Sequence, residues 1–450
     1  MINPKVLLVN PPFPARFNGA PMNLLGLATS LHRNGTEVQI LDLCLSDQPE
    51  QELLAAISAS RPMLLGFGSY SPSHLAVIGL AERVKESYPD LPIVKGGIHE
   101  TFVPNITLAR HRAIDYTIQG NGEVPLSGLI EHLLGRRSPA SVEGLSYRLP
   151  DGRAGLGQRS PSMVLIRDND PSRLPIPERR LLSTSAYYNF PVFAGKKTAQ
   201  VMSARGCPFH CSFCPASSYG ESKRRYRAQP IERVAAEIEY LKGLGFTALF
   251  FDDAVFSIGR SRTEELCQVL SEYGMEWGCQ TRVDLVDEPL LRRMAASGCT
   301  YVYFGVEAGD DHQLEQMRKG IRSDQTWRSI ALAAGCDIRV AVSLIVGYPS
   351  ETDQQLVETF RRLTKCDRTR VSLSAFALYP GTEEWDRRAE IGLVRPESYE
   401  QPHSTEEVWR HFDEGVGSIH CIPPERAERI LDIAKDILGD QMNVDLPCQS

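Results

Sequence analysis

Apolar positions in the first third of the chain come in short runs, separated by stretches with helical spacing. Residues 5–9 (KVLLV) form a run of strand length. Residues 22–34 place apolar side chains three and four apart and stop before Gly35, a residue suited to close a helix. The alternation continues. Runs at 38–43, 63–68, 93–94 and 114–118 read as strands, and stretches from Glu50, over 74–88 and after Glu123 read as helices. Five strands joined by crossover helices predict an α/β domain over residues 1–136, a doubly wound parallel sheet of the Rossmann or flavodoxin-like kind. Ligands of such sheets bind at the carboxyl ends of the strands. Here those ends carry Asn10-Pro11-Pro12, Gly68-Ser69 and Gly96-Gly97.

The rhythm breaks over residues 137–195, where Ser, Pro and Arg recur around one expected hairpin at Asp151-Gly152. This stretch reads as a linker. A second alternation follows, with strand runs at 200–204, 248–251, 276–281, 300–306, 338–346 and 371–378, and helical patterns such as 231–244 and 263–273 between them. Six β/α units over residues 196–385 predict a partial (β/α)6 barrel, because the common closed barrel needs eight. Residues 386–450 form a polar tail, expected to be helical from an amphipathic stretch at 424–438.

Composition narrows the chemistry. The 450 residues carry 49 Lys and Arg against 56 Asp and Glu, a net charge of −7. That balance argues against a nucleic-acid partner. No run of 18 apolar residues predicts a membrane span, and no charged, then apolar, leader opens the sequence. A cytoplasmic location is expected, where thiols stay reduced, so the eleven cysteines need an explanation other than disulfides.

Three of them sit together. Ser203-Ala204-Arg205-Gly206-Cys207-Pro208-Phe209-His210-Cys211-Ser212-Phe213-Cys214 places thiols at C-x3-C-x2-C, directly after the first strand of the second array. Thiolates at this spacing converge on one metal centre from a single loop. Three ligands without a nearby fourth suit a cubane cluster with one open iron. A zinc site completed by His210 is the alternative, and an inert loop the third.

The motif, with Phe213 just before the third cysteine, resembles that of the radical S-adenosylmethionine (SAM) superfamily. The resemblance implies that Cys207, Cys211 and Cys214 hold a 4Fe–4S cluster, that SAM binds its open iron, and that reductive cleavage yields a 5′-deoxyadenosyl radical. It places Asp252 and Asp253, after the second barrel strand, toward the SAM amine. Arg282, after the third, is placed toward the SAM carboxylate, and Glu307, after the fourth, toward the ribose. Gly347-Tyr348-Pro349 and Tyr379-Pro380-Gly381-Thr382 resemble the ends of strands five and six. The N-terminal region resembles the cobalamin-binding domain that precedes many such barrels, in VLLVNPP, in Ser69 and its spacing to Gly96-Gly97, in GGIHET and in Gly120-Asn121-Gly122-Glu123. It implies cobalamin at Asn10, Ser69, Gly96 and Gly97. The Asp-x-His-x-x-Gly motif that gives cobalt a histidine in some cobalamin proteins is absent. Together the two resemblances span about residues 1–385.

The expected activity is hydrogen abstraction from a small-molecule substrate, for cobalamin-dependent C-methylation. The alternatives are cobalamin-independent radical dehydration of a diol such as an aminoglycoside, or a non-catalytic metal-stabilised interaction protein. Tyr219 is a candidate donor to a substrate radical. The basic run 223–227 is a candidate docking patch for an acidic flavodoxin or ferredoxin electron donor.

Overall fold

The computed structural model describes all residues except 1–3, 14–18, 150–153, 157–173, 183–186, 188–189, 219–225, 388–418, 421–423 and 445–450. Tyr219 and residues 223–225 of the basic run therefore lie outside the described residues. The described chain forms two compact units, one up to Tyr187 and the other from Phe190 onward.

The first unit is built on β1 (Lys5–Asn10), β2 (Glu37–Asp42), β3 (Leu64–Gly68), β4 (Ile93–Gly96), β5 (Tyr116–Ile118), β6 (Leu145–Arg148) and β7 (Ala154–Leu156). They form one sheet in the order β2-β1-β3-β4-β5-β6-β7. The first five are parallel, in the flavodoxin order, with the switch point between β1 and β3. Central β1 is sealed on both faces, with Val6 to Val9 buried, as a strand covered by helices on both sides must be. Helix Met22–Arg33 buries Met22, Leu25, Ala28, Thr29 and Leu31, the stripe its spacing predicted. The hairpin expected in the linker is β6–β7, and it joins this sheet antiparallel to β5. Strands of four and three residues carry too little pattern to show that they extend a sheet.

The second unit contains β8 (Thr198–Val201), β9 (Ala204–Arg205), β10 (Arg227–Ala228), β11 (Ala248–Phe251), β12 (Glu276–Thr281), β13 (Cys299–Glu307), β14 (Arg339–Val346), β15 (Thr369–Ala375), β16 (Ala377–Leu378), β17 (Ile419–His420) and β18 (Met442–Val444). Its main sheet runs β18-β15-β14-β13-β12-β11-β8, parallel throughout and open at β8 and β18. The six predicted barrel strands are all present. The seventh, β18, comes from the tail after helix Pro424–Leu438. Residues of one parity, including Val201, Phe251, Trp277, Cys279, Phe304 and Val342, form the fully buried face. The other parity brings Gln200, Phe250 and Gly278 into register, with Tyr301 beside them. Polar and aromatic side chains on that inner face mark it as the ligand-bearing side of the arc.

Candidate functional site

The cysteine loop leaves β8 and is pinned at once by Asp253, just beyond β11. This carboxylate accepts from the Ser203 and Ala204 amides at 2.7 and 3.0 Å and from the Ser203 hydroxyl. Burial still pushes Asp253 up to about 7. Its neighbour Asp252 faces Gln200 and Gln280, whose amide nitrogens approach at 3.4 and 3.3 Å. Burial pushes Asp252 up to about 6. Of the predicted acidic pair, one member fastens the loop and the other faces carboxamides from the two flanking strands.

Gly206, at φ 80°, turns the chain into the motif. Cys214 N then donates to the Cys211 carbonyl at 3.2 Å, which folds the three-cysteine segment back on itself. Phe213 is half-buried beside Cys214. Burial raises the Cys211 thiol, and the charges of Lys319 and Arg282 oppose that rise. Burial pushes Cys214 up to about 11. Cations beside a buried thiol favour the thiolate that metal binding requires.

Zinc and a cubane cluster ask different things of their ligands. Zinc draws sulfurs in to about 2.3 Å from one ion, so its ligands crowd together. Among the described residues, only His74, His99 and Glu100 bring three such ligand atoms within 4.8 Å of one another. The three thiols do not all lie within that distance of one another, and His210, the fourth ligand a zinc site would take here, is exposed. The residues fit a 4Fe–4S cluster.

Arg282 lies just past β12, and its fork is already engaged. Nε and Nη2 donate to Asp284 at 2.9 and 3.0 Å, and Nη2 also donates to the Lys319 carbonyl at 2.8 Å. The guanidinium stacks 3.8 Å over the Phe209 ring and reaches Cys211 Sγ at 3.9 Å. In this geometry it braces the cysteine loop. Glu307 ends β13 at φ 66°, a conformation costly for a side chain with a Cβ. It accepts from Lys319 Nζ at 2.7 Å and from the Ser343 hydroxyl at 3.2 Å. Gly347, at φ 77°, makes the turn after β14, and Glu351 holds that turn by accepting from Gly347 N at 2.6 Å.

Sequence reasoning missed Lys319, Gln200, Glu351 and Glu384. Lys319 follows helix Asp311–Gln316 and precedes Gly320 at φ 69°. A lysine beside a glycine turn was its one local signal.

At the edge of the first unit, Asn10 donates to Asp42 Oδ1 at 2.8 Å and to Cys44 Sγ at 3.3 Å. Ser69 N donates to the Gly96 carbonyl at 2.8 Å. A Cβ on Gly97, at φ 110°, would lie 2.3 Å from the Ser69 carbonyl oxygen, so only glycine fits. Phe13, Leu45 and Tyr70, which follow β1, β2 and β3, are exposed, and the Phe13 and Tyr70 rings meet edge to face at 6.3 Å. Behind this apolar edge, Lys95 pairs with Glu100 and donates to His74 Nδ1 at 2.7 Å, all three buried. His99 is buried too, its Nδ1 3.0 Å from the Ser71 hydroxyl.

A partial parallel barrel with a three-thiol loop after its first strand defines an iron–sulfur, SAM-dependent class, and the comparisons name it. The Radical SAM superfamily profile matches residues 201–363, and that of the B12 binding domain matches residues 14–130. The chain belongs to the radical SAM superfamily, in the subfamily with an N-terminal B12-binding domain, and its class works with a 4Fe–4S cluster and SAM. It is 29% identical over 392 residues to an uncharacterized methyltransferase of Pyrococcus horikoshii, covering 85% of this chain and 82% of that one. It is 31% identical to the anaerobic magnesium-protoporphyrin IX monomethyl ester cyclase of Rubrivivax gelatinosus, over 76% of this chain and 62% of the cyclase. Its fold is similar to that of the radical SAM methyltransferase TsrM from Kitasatospora setae, solved with cobalamin and a 4Fe–4S cluster. That match has a TM-score of 0.69 at 22% identity and covers 88% of this chain and 76% of TsrM. Among the described residues no helix is long and apolar enough to cross a membrane.

Proposed function

We propose that the protein is a cobalamin-dependent radical SAM methyltransferase acting on a carbon of a small molecule. The observation that carries this reading is one chain holding two built sites. One is a loop after the first barrel strand that carries three thiols at C-x3-C-x2-C. The other is a flavodoxin-ordered sheet whose ligand edge combines an obligatory glycine with exposed Phe13, Leu45 and Tyr70. The methyltransferase relative in Pyrococcus horikoshii supports the same reading. When bound, the cluster supplies the electron that splits SAM into methionine and a 5′-deoxyadenosyl radical, and cobalamin supplies the methyl carrier.

The protein's own residues do the rest. Cys207, Cys211 and Cys214 hold the cluster. Lys319 and Arg282 favour the Cys211 thiolate, and Asp253 fixes the start of the loop. Gly97 lets the turn after β4 pack directly on the Ser69 backbone at the ligand edge, and the exposed apolar side chains there give a planar ring system a surface to cover. His99 is buried and bonded to Ser71, so it offers no exposed ligand to a metal at the sheet edge.

The test is binding. The chain is reconstituted anaerobically with iron, sulfide and hydroxocobalamin, passed over gel filtration, and its iron and visible spectrum are measured. Retained corrin together with about four irons per chain is expected. A protein peak with iron but no corrin would refute the cobalamin part of the proposal.

A further inference from the structure

We propose that Glu384 is a positioning residue that latches the cluster-binding loop, acting through Ser212, which lies between the second and third thiols. This rests on the assignment of Cys207, Cys211 and Cys214 to the cluster. Ser212 is buried, and its hydroxyl donates to Glu384 Oε1 at 2.6 Å. The Tyr348 hydroxyl donates to the same oxygen at 2.6 Å. In return, Glu384 N donates to the Ser212 carbonyl at 3.3 Å, and Ser212 N donates to the Met317 carbonyl at 3.0 Å. Ser212 and Glu384 are 172 residues apart in sequence.

Each partner is itself held. Glu384 sits in helix Glu383–Asp386, whose N-cap Thr382 accepts from Trp385 N at 3.1 Å. Tyr348 follows the Gly347 turn that Glu351 fixes. One carboxylate thus ties the turns after β14 and β16 to the middle of the cysteine loop. Burial, then the neighbouring carboxylate, pushes the Tyr348 hydroxyl well above its ordinary range, so it remains a donor. Glu384 Oε2 is buried and accepts no hydrogen bond among the described residues. An apolar residue would avoid the expense of burying that carboxylate, but it could not hold two hydroxyls. Partners bonded directly to metal ligands are commonly worth about 10–100-fold in metal affinity, and a brace on the residue between two ligands belongs at the low end of that range.

The test compares Glu384→Ala, Glu384→Gln and Ser212→Ala with the parent chain, all reconstituted anaerobically. Iron release to EDTA is timed, and the reduced cluster is examined by electron paramagnetic resonance (EPR). Glu384→Ala and Ser212→Ala should each lose iron about tenfold faster and broaden the EPR signal. Glu384→Gln keeps an oxygen acceptor for both hydroxyls and should stay within about twofold of the parent. Parental release rates and an unchanged signal in both alanine variants would overturn the latch. So would a glutamine variant as labile as the alanine one. If Glu384→Ala does not fold, Ser212→Ala, which removes one oxygen, decides alone. Cys211→Ala runs alongside. Full iron in that variant would overturn the cluster assignment itself, whatever the Glu384 variants do.

Discussion

Replacing Lys95 by Met should destabilise the first unit severely. Lys95 and Glu100 are both fully buried, and Lys95 is the cation paired with that carboxylate. After the change Glu100 keeps the Thr107 hydroxyl at 3.1 Å, and its Oε2 already has no partner. Removing one member of a buried pair costs about 3–5 kcal/mol, because the other charge is left uncompensated. The double variant Lys95→Met/Glu100→Leu should recover most of that loss, since an apolar pair of similar volume is often as stable as the ion pair. The assay is urea unfolding combined with hydrogen exchange at β4, which reports the first unit separately from the second. The pH dependence follows from losing Lys95, whose charge and hydrogen bond oppose the rise that burial imposes on the Glu100 pKa, so that pKa climbs further in the variant. A carboxyl whose folded pKa lies above its unfolded value contributes stability below the unfolded pKa, and loses it as pH rises through the folded one. The Lys95→Met deficit should therefore widen from pH 5 to pH 7. A loss under about 1 kcal/mol, or a deficit that narrows as pH rises, would refute the reasoning.

Two other outcomes follow from the same edge. Burial holds His74 and His99 well below the ordinary histidine range, so both fold as neutral rings. The unfolded chain then binds more protons, and the first unit should lose stability as pH falls below about 6.5, by up to about 1.4 kcal/mol per unit for each histidine. Urea midpoints between pH 7.5 and 5.5 check this, and a flat profile would count against it. Gly97→Ala places a Cβ 2.3 Å from the Ser69 carbonyl oxygen and should abolish hydroxocobalamin retention on gel filtration while iron content stays parental. Retained corrin in that variant would remove Gly97 from the site.

Strands were legible wherever a local run of apolar residues was long enough to show its period, as in β1, β12 and β14. The three cysteines were legible because a single loop carries them all. What local pattern could not show is where side chains spend their hydrogen bonds. Arg282 was expected to face the SAM carboxylate, and its fork is taken by Asp284 and the Lys319 carbonyl. Asn10 was expected at the cofactor edge, and its amide is bonded to Asp42 and Cys44, more than thirty residues away. The tail was read as helical, its helix is present over Pro424–Leu438, and the three-residue β18 that follows and pairs with β15 was too short to show a pattern. Glu384 and Lys319 became visible only when the fold brought them to the cysteine loop. Cys279 and Cys299 lie on the adjacent strands β12 and β13, where burial pushes the Cys279 thiol far up, a contact between strands that no local spacing showed.

The most direct measurement is the nucleoside product pattern from SAM. The reconstituted chain is incubated anaerobically with CD3-labelled SAM and a reductant, with and without hydroxocobalamin, and the products are resolved by mass spectrometry. A cobalamin-dependent methyltransferase should give both S-adenosylhomocysteine and 5′-deoxyadenosine. The first should disappear when hydroxocobalamin is withheld, and the second should disappear in Cys211→Ala. 5′-Deoxyadenosine alone, unaffected by hydroxocobalamin, would contradict the methyltransferase assignment.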